Sequence, residues 1–204
     1  MEYLAVFIGC MLVSILVHEL GHVLMGSLFG ARSHIVLYGF GGLAIGSLEV
    51  RGTGQRIAVL LAGPGAGFLL YSLVRLAKII AEPSLAPYLD APPNLVWAAF
   101  EFLLWMNLIW NILNLVPIWP LDGGRVCGEI LMRAQGEQGL KIALTVSIIL
   151  AVGLALVALF PNRMPVQIPY FTQPDWFAGI LLLLLAADNV QALMQLNEGR
   201  RDED

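Results

Sequence analysis

Charged residues are scarce in this 204-residue chain, in which 11 lysines and arginines and 15 aspartates and glutamates make up only 13% of the sequence. A soluble globular domain carries about 25% charged residues. Hydrophobic residues account for 58%, and the few charges fall between long apolar runs. This composition excludes an ordinary soluble domain and predicts a protein that crosses a membrane several times.

Cysteine is nearly absent as well. Cys10 and Cys127 are far apart and form no CxxC pair, which argues against a disulfide framework and against a cysteine zinc site. The net charge of −4 is small, so we expect no nucleic-acid partner. The first apolar run lacks a basic segment before it and a convincing cleavage site, so we interpret it as mature structure rather than a signal peptide.

Five apolar runs approach the ~20 residues that a membrane-spanning helix needs. They cover residues 3–29, 56–80, 95–117, 140–160 and 176–196. After the first run, residues 43–50 alternate apolar residues with small or polar ones, a pattern typical of short strands with glycine turns. We predict an all-α membrane protein with about five transmembrane helices and a short re-entrant β-hairpin after the first helix. The free edge of that hairpin either pairs with an extended substrate or belongs to a simple interfacial loop.

The distribution of lysine and arginine predicts the orientation of these helices. Eight of the eleven follow the first, third and fifth runs: Arg32, Arg51, Arg56, Arg125, Arg133, Lys141, Arg200 and Arg201. The other three are Arg75, Lys78 and Arg163. Because cytoplasmic loops are enriched in these residues, the larger group predicts the cytoplasmic side and an N-terminus outside the cell.

The motif His18-Glu19-Leu20-Gly21-His22 lies inside the first apolar run. On a helix its two histidines are one turn apart on the same face, about 6 Å along the axis. Two imidazoles at that spacing can bind one Zn²⁺, with Glu19 as the general base of a metalloprotease. Three costly polar groups in one apolar helix favour metal binding over the packing of lone histidines.

A catalytic zinc site needs a third protein ligand and an open position for water. The best candidate is Asp122, which follows Pro117 and Pro120 and precedes Gly123-Gly124. The prolines interrupt the helix and the glycines free the backbone, so the chain can bring this carboxylate toward the metal. The alternative is that Asp122 only caps the helix that follows it. By the charge distribution, Asp122 and the two histidines lie at similar depth on the cytoplasmic side.

Together these motifs resemble the site-2 protease family of intramembrane zinc metalloproteases. The resemblance rests on residues 18–22 and on the segments 114–117 (Asn-Leu-Val-Pro) and 120–124 (Pro-Leu-Asp-Gly-Gly). Residues 62–64 (Ala-Gly-Pro) and the glycine turn at 39–42 are also similar to the family. The similar segments lie in the first two-thirds of the chain.

The resemblance implies a role for each residue of the two motifs. His18, His22 and Asp122 would bind one Zn²⁺ per chain. Glu19 would be the catalytic base, and Asn114 would contact the substrate or the oxyanion. For Asn114 the alternative is a hydrogen bond between helices.

These observations predict an intramembrane zinc metalloprotease that hydrolyses a peptide bond within or next to a transmembrane segment, as in regulated intramembrane proteolysis. Its partners would be the lipid bilayer and a transmembrane or signal-peptide-like substrate. We expect it in the inner membrane of the cell, with its active site toward the cytoplasm. The alternative is a non-proteolytic zinc-binding membrane protein, either a metal carrier or a scaffold for membrane segments. A carrier would spread its ligands along a path, and Glu19 is needed for hydrolysis but not for binding.

We expect a single membrane domain over residues 1–197, with its catalytic core at about 1–134, and a polar tail at 198–204. This chain would carry neither the PDZ nor the CBS domain that is frequent in the family. The fourth and fifth spans either gate substrate entry or only complete the helix bundle. His34 is predicted to be solvated, and Asp188 to lie near the cytoplasmic end of the last span.

Further polar and small residues fall at helical spacings within the spans. Glu101, Asn107 and Asn111 in the third span either line a water path or pack inward. Gly63 and Gly67 in the second span form a GxxxG pattern, which predicts a close contact between helices.

Overall fold

The computed structural model describes residues 1–38, 41–85, 94–161 and 173–199. Its helices and strands are α1 (Glu2–Leu28), β1 (His34–Tyr38), β2 (Gly41–Ile45), α2 (Thr53–Leu85), α3 (Leu95–Asn114), α4 (Asp122–Gln135), α5 (Glu137–Leu159) and α6 (Trp176–Gly199). Within these ranges five helices, α1, α2, α3, α5 and α6, are long and apolar enough to cross a membrane. The predicted all-α class with about five spanning helices is therefore confirmed.

The helix ends differ from the predicted spans where local chemistry overrides hydrophobicity. Helices α2 and α5 begin three residues before the apolar runs predicted them to, because polar residues continue the helix outside the apolar stretch. Helix α3 ends at Asn114, short of the predicted residue 117. Pro117 cannot continue a helix and disfavours helical geometry in the residue before it. The 14-residue helix α4 is a separate element, at about 21 Å too short to span a bilayer.

The first compact unit, Met1–Leu115, consists of α1, α2 and α3 packed on one another, with the hairpin against α1. Helices α1 and α2 approach closely because a side chain at Gly21 would collide with the carbonyl oxygen of Ala62. This contact lies one residue before His22 on α1, so it brings α2 directly against the histidine motif.

The hairpin between α1 and α2 is antiparallel, with His34 opposite Ile45. The predicted hairpin is thus confirmed, although residues 46–50 lie beyond β2 rather than in a strand. Gly46 has φ +78, and a side chain there would meet the carbonyl oxygen of Arg32. Residues 39 and 40 of the predicted glycine turn lie outside the described residues, and the re-entrant placement of the hairpin stays a prediction.

The second compact unit, Val116–Asp204, contains α4, α5 and α6, with α5 packed against both of its neighbours. A side chain at Gly139 would collide with the carbonyl oxygen of Leu131, so this glycine lets α5 start close against α4. Ile118, Ala151 and Ala186 form the buried core of this unit. The loop that precedes α4 is therefore anchored by apolar contacts to α5 and α6. The charges at Arg163, Arg200 and Arg201 and most of the predicted tail lie outside the described residues.

Candidate metal centre

His18 and His22 lie one turn apart on α1 and are both buried, at 5% and 6% exposure. Their Nε2 atoms are 3.2 Å apart. Two nitrogens bound at about 2.0–2.1 Å to one tetrahedral zinc ion are separated by about 3.3 Å. The observed spacing of the two imidazoles therefore fits a shared metal ion.

The other ring nitrogen of each histidine lies against a hydrogen-bond acceptor. His22 Nδ1 is 2.7 Å from the carbonyl oxygen of Val59 on α2, which can only accept, so Nδ1 donates. His18 Nδ1 is 2.9 Å from Oδ1 of Asn111 on α3. The Nδ2 group of Asn111 donates to the carbonyl oxygen of Asn107, so its Oδ1 atom is the one that faces His18. Both imidazoles are thereby fixed in the same tautomer.

This tautomer determines what the Nε2 atoms of His18 and His22 present to their surroundings. When Nδ1 carries the proton, Nε2 of a neutral imidazole presents a lone pair. The two Nε2 atoms that carry these lone pairs are 3.2 Å apart, which suits a shared cation. Zinc-binding histidines commonly donate their second ring nitrogen to a carbonyl or amide oxygen in this way. The chemistry of this donor pair fits zinc.

Two glycines on α2 make room for these side chains. A side chain at Gly63 would overlap the ring of His22, and one at Gly67 would overlap the amide of Asn111. The close contact predicted from the GxxxG pattern is therefore present within the first unit. Its glycines accommodate side chains from α1 and α3 rather than another helix backbone.

Asp122 is the first residue of α4 and is buried. The N-cap position of this helix is occupied by Leu121, so Asp122 is not the N-cap residue that the alternative interpretation required. A carboxylate in the first turn also interacts favourably with the helix dipole. Asp122 belongs to the second compact unit, and the two histidines belong to the first.

Glu19 and Asn114 were the other predicted site residues. Glu19 lies between the two histidines on α1 and is half-buried. Asn114 ends α3 and is half-buried, and its Nδ2 atom donates to the carbonyl oxygen of Trp110, 2.9 Å away. This bond lies within α3 and uses one of the two hydrogens on that nitrogen, so the second can donate elsewhere.

The other polar residues singled out in the sequence differ in their burial and in their partners. His34 is exposed on β1 and Asp188 is exposed on α6. Glu101 forms an ion pair with Lys78 of α2. Asn107 is 1% exposed, and its Nδ2 atom donates to the Ser14 hydroxyl of α1 at 2.8 Å, so it packs inward.

Asn111 is a residue of the candidate site to which the sequence alone assigned no such contact. It is 1% exposed and holds the ring of His18 through a hydrogen bond across 93 positions of sequence. Its helical spacing from Asn107 predicts that both either line a water path or pack inward. That pattern could not reveal which residue of α1 each asparagine meets.

The sequence and the fold of this chain are similar to those of known proteins. Residues 72–159 match the model of peptidase family M50, a segment that includes Asn114 and Asp122 but not the motif at 18–22. The structure is similar to the site-2 protease from Methanocaldococcus jannaschii, with a TM-score of 0.57 and 22% sequence identity. This similarity covers 93% of this chain and 85% of that chain, so the fold is that of a site-2 protease.

Curated relatives match the chain in sequence. It is 34% identical to stage IV sporulation protein FB of Bacillus subtilis over 123 residues, which are 57% of this chain and 37% of the relative. It is 28% identical to a zinc metalloprotease of Methanocaldococcus jannaschii over 157 residues, 76% of this chain and 43% of the relative. The matched segments thus span less than half the length of these relatives. The resemblance to the site-2 protease family is confirmed.

Proposed function

We propose that this chain is an intramembrane zinc metalloprotease that hydrolyses a peptide bond within or next to a transmembrane segment of a substrate protein. The observation that carries the proposal is the buried histidine pair, with Nε2 atoms 3.2 Å apart and both Nδ1 atoms engaged. Similarity to peptidase family M50 and to a zinc metalloprotease supports the same activity.

In this proposal His18, His22 and Asp122 hold one zinc ion per chain. When bound, the zinc ion supplies Lewis-acid chemistry that polarises the scissile carbonyl and makes a water molecule more acidic. The contacts of the histidines with Val59 and Asn111 keep both imidazoles in the ligating tautomer. All three proposed ligands are buried, which strengthens their electrostatic interaction with a cation.

Glu19 is the proposed general base. It takes a proton from the attacking water and later gives that proton to the leaving amine. Glu19 lies between the two histidines in the sequence and is half-buried, so its side chain is partly exposed. Asn114 is proposed to donate its second Nδ2 hydrogen to the developing oxyanion.

The proposed substrate is a transmembrane or signal-peptide-like segment of another protein, cleaved as in regulated intramembrane proteolysis. The peptide bonds of a regular transmembrane helix are shielded by its own hydrogen bonds. A substrate must therefore unwind near the cleavage site, and we expect helix-weakening residues there. We propose that the reaction takes place in the inner membrane of the cell, toward the side that the charge distribution predicts to be cytoplasmic.

The test compares the wild type with Glu19→Gln in detergent, measuring bound zinc by mass spectrometry and cleavage of a panel of transmembrane substrates. We expect equal zinc content and a loss of cleavage of about 100-fold or more in the variant, because only the base is removed. A chelator should abolish cleavage by the wild type. Glu49→Gln changes an exposed glutamate and should leave both quantities unchanged.

The other outcomes separate the alternatives. Zinc bound by both proteins, with no cleavage of any substrate in the panel, would favour a non-proteolytic zinc-binding protein. A folded wild type that binds no zinc would refute the metal site and the protease with it.

A further inference from the structure

Side chains from α5 and α6 hold both backbone polar groups of Trp119, in the loop just before Asp122. The Trp119 N–H donates to the Ser147 hydroxyl of α5 at 2.9 Å. The Trp119 carbonyl oxygen accepts from Asn189 Nδ2 of α6 at 2.7 Å. Ser147 also donates to the carbonyl oxygen of Pro117 at 3.4 Å. The loop backbone is thus fixed from two helices.

The burial of Ser147 and Asn189 indicates that their hydrogen bonds to the loop offset a cost in stability. Ser147 and Asn189 are each 1% exposed, in helices that are otherwise strongly apolar. A buried polar side chain is costly unless it is hydrogen-bonded. Helices that only completed a bundle would gain more from apolar residues at these positions. The hydrogen bonds to the loop give Ser147 and Asn189 a specific function.

The loop is in turn rigidly joined to the start of α4. Leu121 N donates to the carbonyl oxygen of Ile118 at 2.9 Å, which closes a tight turn before Asp122. A side chain at Gly124 would collide with the Ile118 carbonyl group and with Trp119 N, so the first turn of α4 lies directly on the loop backbone. A shift of the Trp119 backbone would therefore move Asp122.

We propose that Ser147 and Asn189 are positioning residues that set the place of the Asp122 carboxylate through the Trp119 backbone. The proposal rests on the proposed function, since it takes Asp122 as a metal ligand. It assigns α5 and α6 a part in building the metal site. Asn189 lies beyond the segment 72–159 that matches the family model, so family similarity alone does not indicate it.

The test measures metal affinity rather than cleavage alone. Ser147→Ala and Asn189→Leu are purified, and their zinc affinity is determined by competition with a chromogenic chelator. We expect each to bind zinc about 10- to 100-fold more weakly, the effect typical of removing a group that orients a ligand. The absorption spectrum of the Co²⁺-loaded variants should also change, because it reports the geometry around the metal.

Each variant has a matched control on its own helix. Thr145→Val removes an exposed hydroxyl that donates to the Lys141 carbonyl oxygen within α5. Gln191→Leu converts an exposed amide of α6 to leucine. Both controls should keep wild-type zinc affinity and the wild-type Co²⁺ spectrum. Ser147→Ala removes a single oxygen atom, so it keeps the test decisive even where Asn189→Leu fails to fold.

A double-mutant comparison shows whether the effect passes through Asp122. In an Asp122→Asn background, Ser147→Ala should lower zinc affinity by less than about 2-fold, because the group that it positions is already lost. An equal further loss in that background would overturn the proposal. Wild-type affinity and an unchanged Co²⁺ spectrum in both single variants would overturn it while leaving the proposed function intact. A folded wild type without metal binding would instead refute the proposed function, and this inference with it.

Discussion

The position of the His22 ring is decided by a residue that has no side chain. A Cβ atom at Gly63 would overlap the imidazole of His22, so the ring lies directly on the α2 backbone. Gly65, two residues further along the same helix, is exposed and has nothing within 4 Å of its Cβ position. These two glycines therefore differ in function although both belong to the same helix.

We predict that Gly63→Ala weakens zinc binding by about 10- to 100-fold, because the new methyl group displaces His22 from its place beside His18. Gly65→Ala should bind zinc as the wild type does. Chelator competition on both purified variants measures the difference. Equal affinities for the two variants would show that the ring of His22 is free to move without loss of the site.

At the scale of elements, a charged pair joins α2 and α3. It lies well away from Gly63 and Asn111, the positions of these two helices that adjoin the histidines. Lys78 is 9% exposed, pairs with the carboxylate of Glu101 and lies 4.1 Å from the centre of the Trp97 ring. Glu101 is half exposed at its side chain. The structure thus accounts for Glu101 by a partner on α2.

The pairing of Lys78 with Glu101 predicts that the effects of removing the two charges on stability are coupled. Glu101→Leu should lower the free energy of unfolding by about 1–3 kcal/mol, because a buried ammonium group loses its carboxylate. Lys78→Met should also lower stability, because it leaves the Glu101 carboxylate without its partner in a spanning helix, and the double variant should recover stability. Unfolding of the detergent-solubilised protein measures these changes. Glu82→Leu, at an exposed position of α2, is the control, and a double variant less stable than Glu101→Leu would contradict this explanation.

The boundaries of the elements were predictable where one residue decides them. Pro117 ends the helical region after Asn114, and this stop could have been read from the proline alone. The capping alternative predicts that α4 starts at Gly123, whereas it starts one residue earlier, at Asp122. Its N-cap residue, Leu121, has no capping side chain, so no sequence signal marks the position.

At the scale of the whole molecule, the distribution of lysine and arginine among the five apolar helices predicts an N-terminus outside the cell. The charge distribution predicts that the segment between the hairpin and α2 is cytoplasmic and that the far end of α2 is external. The structure separates into the units Met1–Leu115 and Val116–Asp204. The single membrane domain predicted over residues 1–197 stays a prediction.

The orientation can be tested with single cysteines in a background where Cys10 and Cys127 are replaced by alanine. Glu49→Cys should react with a membrane-impermeant maleimide only from the cytoplasmic side, and Glu82→Cys only from the opposite side. Both positions are exposed. Labelling of inside-out and right-side-out vesicles makes the measurement, and the reverse pattern would move the proposed site to the outer side.

The sequence by itself determined the spanning helices and the histidine pair, because both depend on residues close together in the chain. Apolar runs of sufficient length must be helical in a bilayer. The spacing of His18 and His22 places them on one face of any helix that contains them.

Only the tertiary structure decided what holds these residues in place. His18 meets Asn111 across 93 positions of sequence, and Asn189 meets the Trp119 backbone across 70. Helical periodicity shows which face of a helix is polar, but not which residue of another helix that face meets. That pairing depends on how far one helix is displaced along another, which close contacts such as Gly21 against Ala62 set only after the chain has folded.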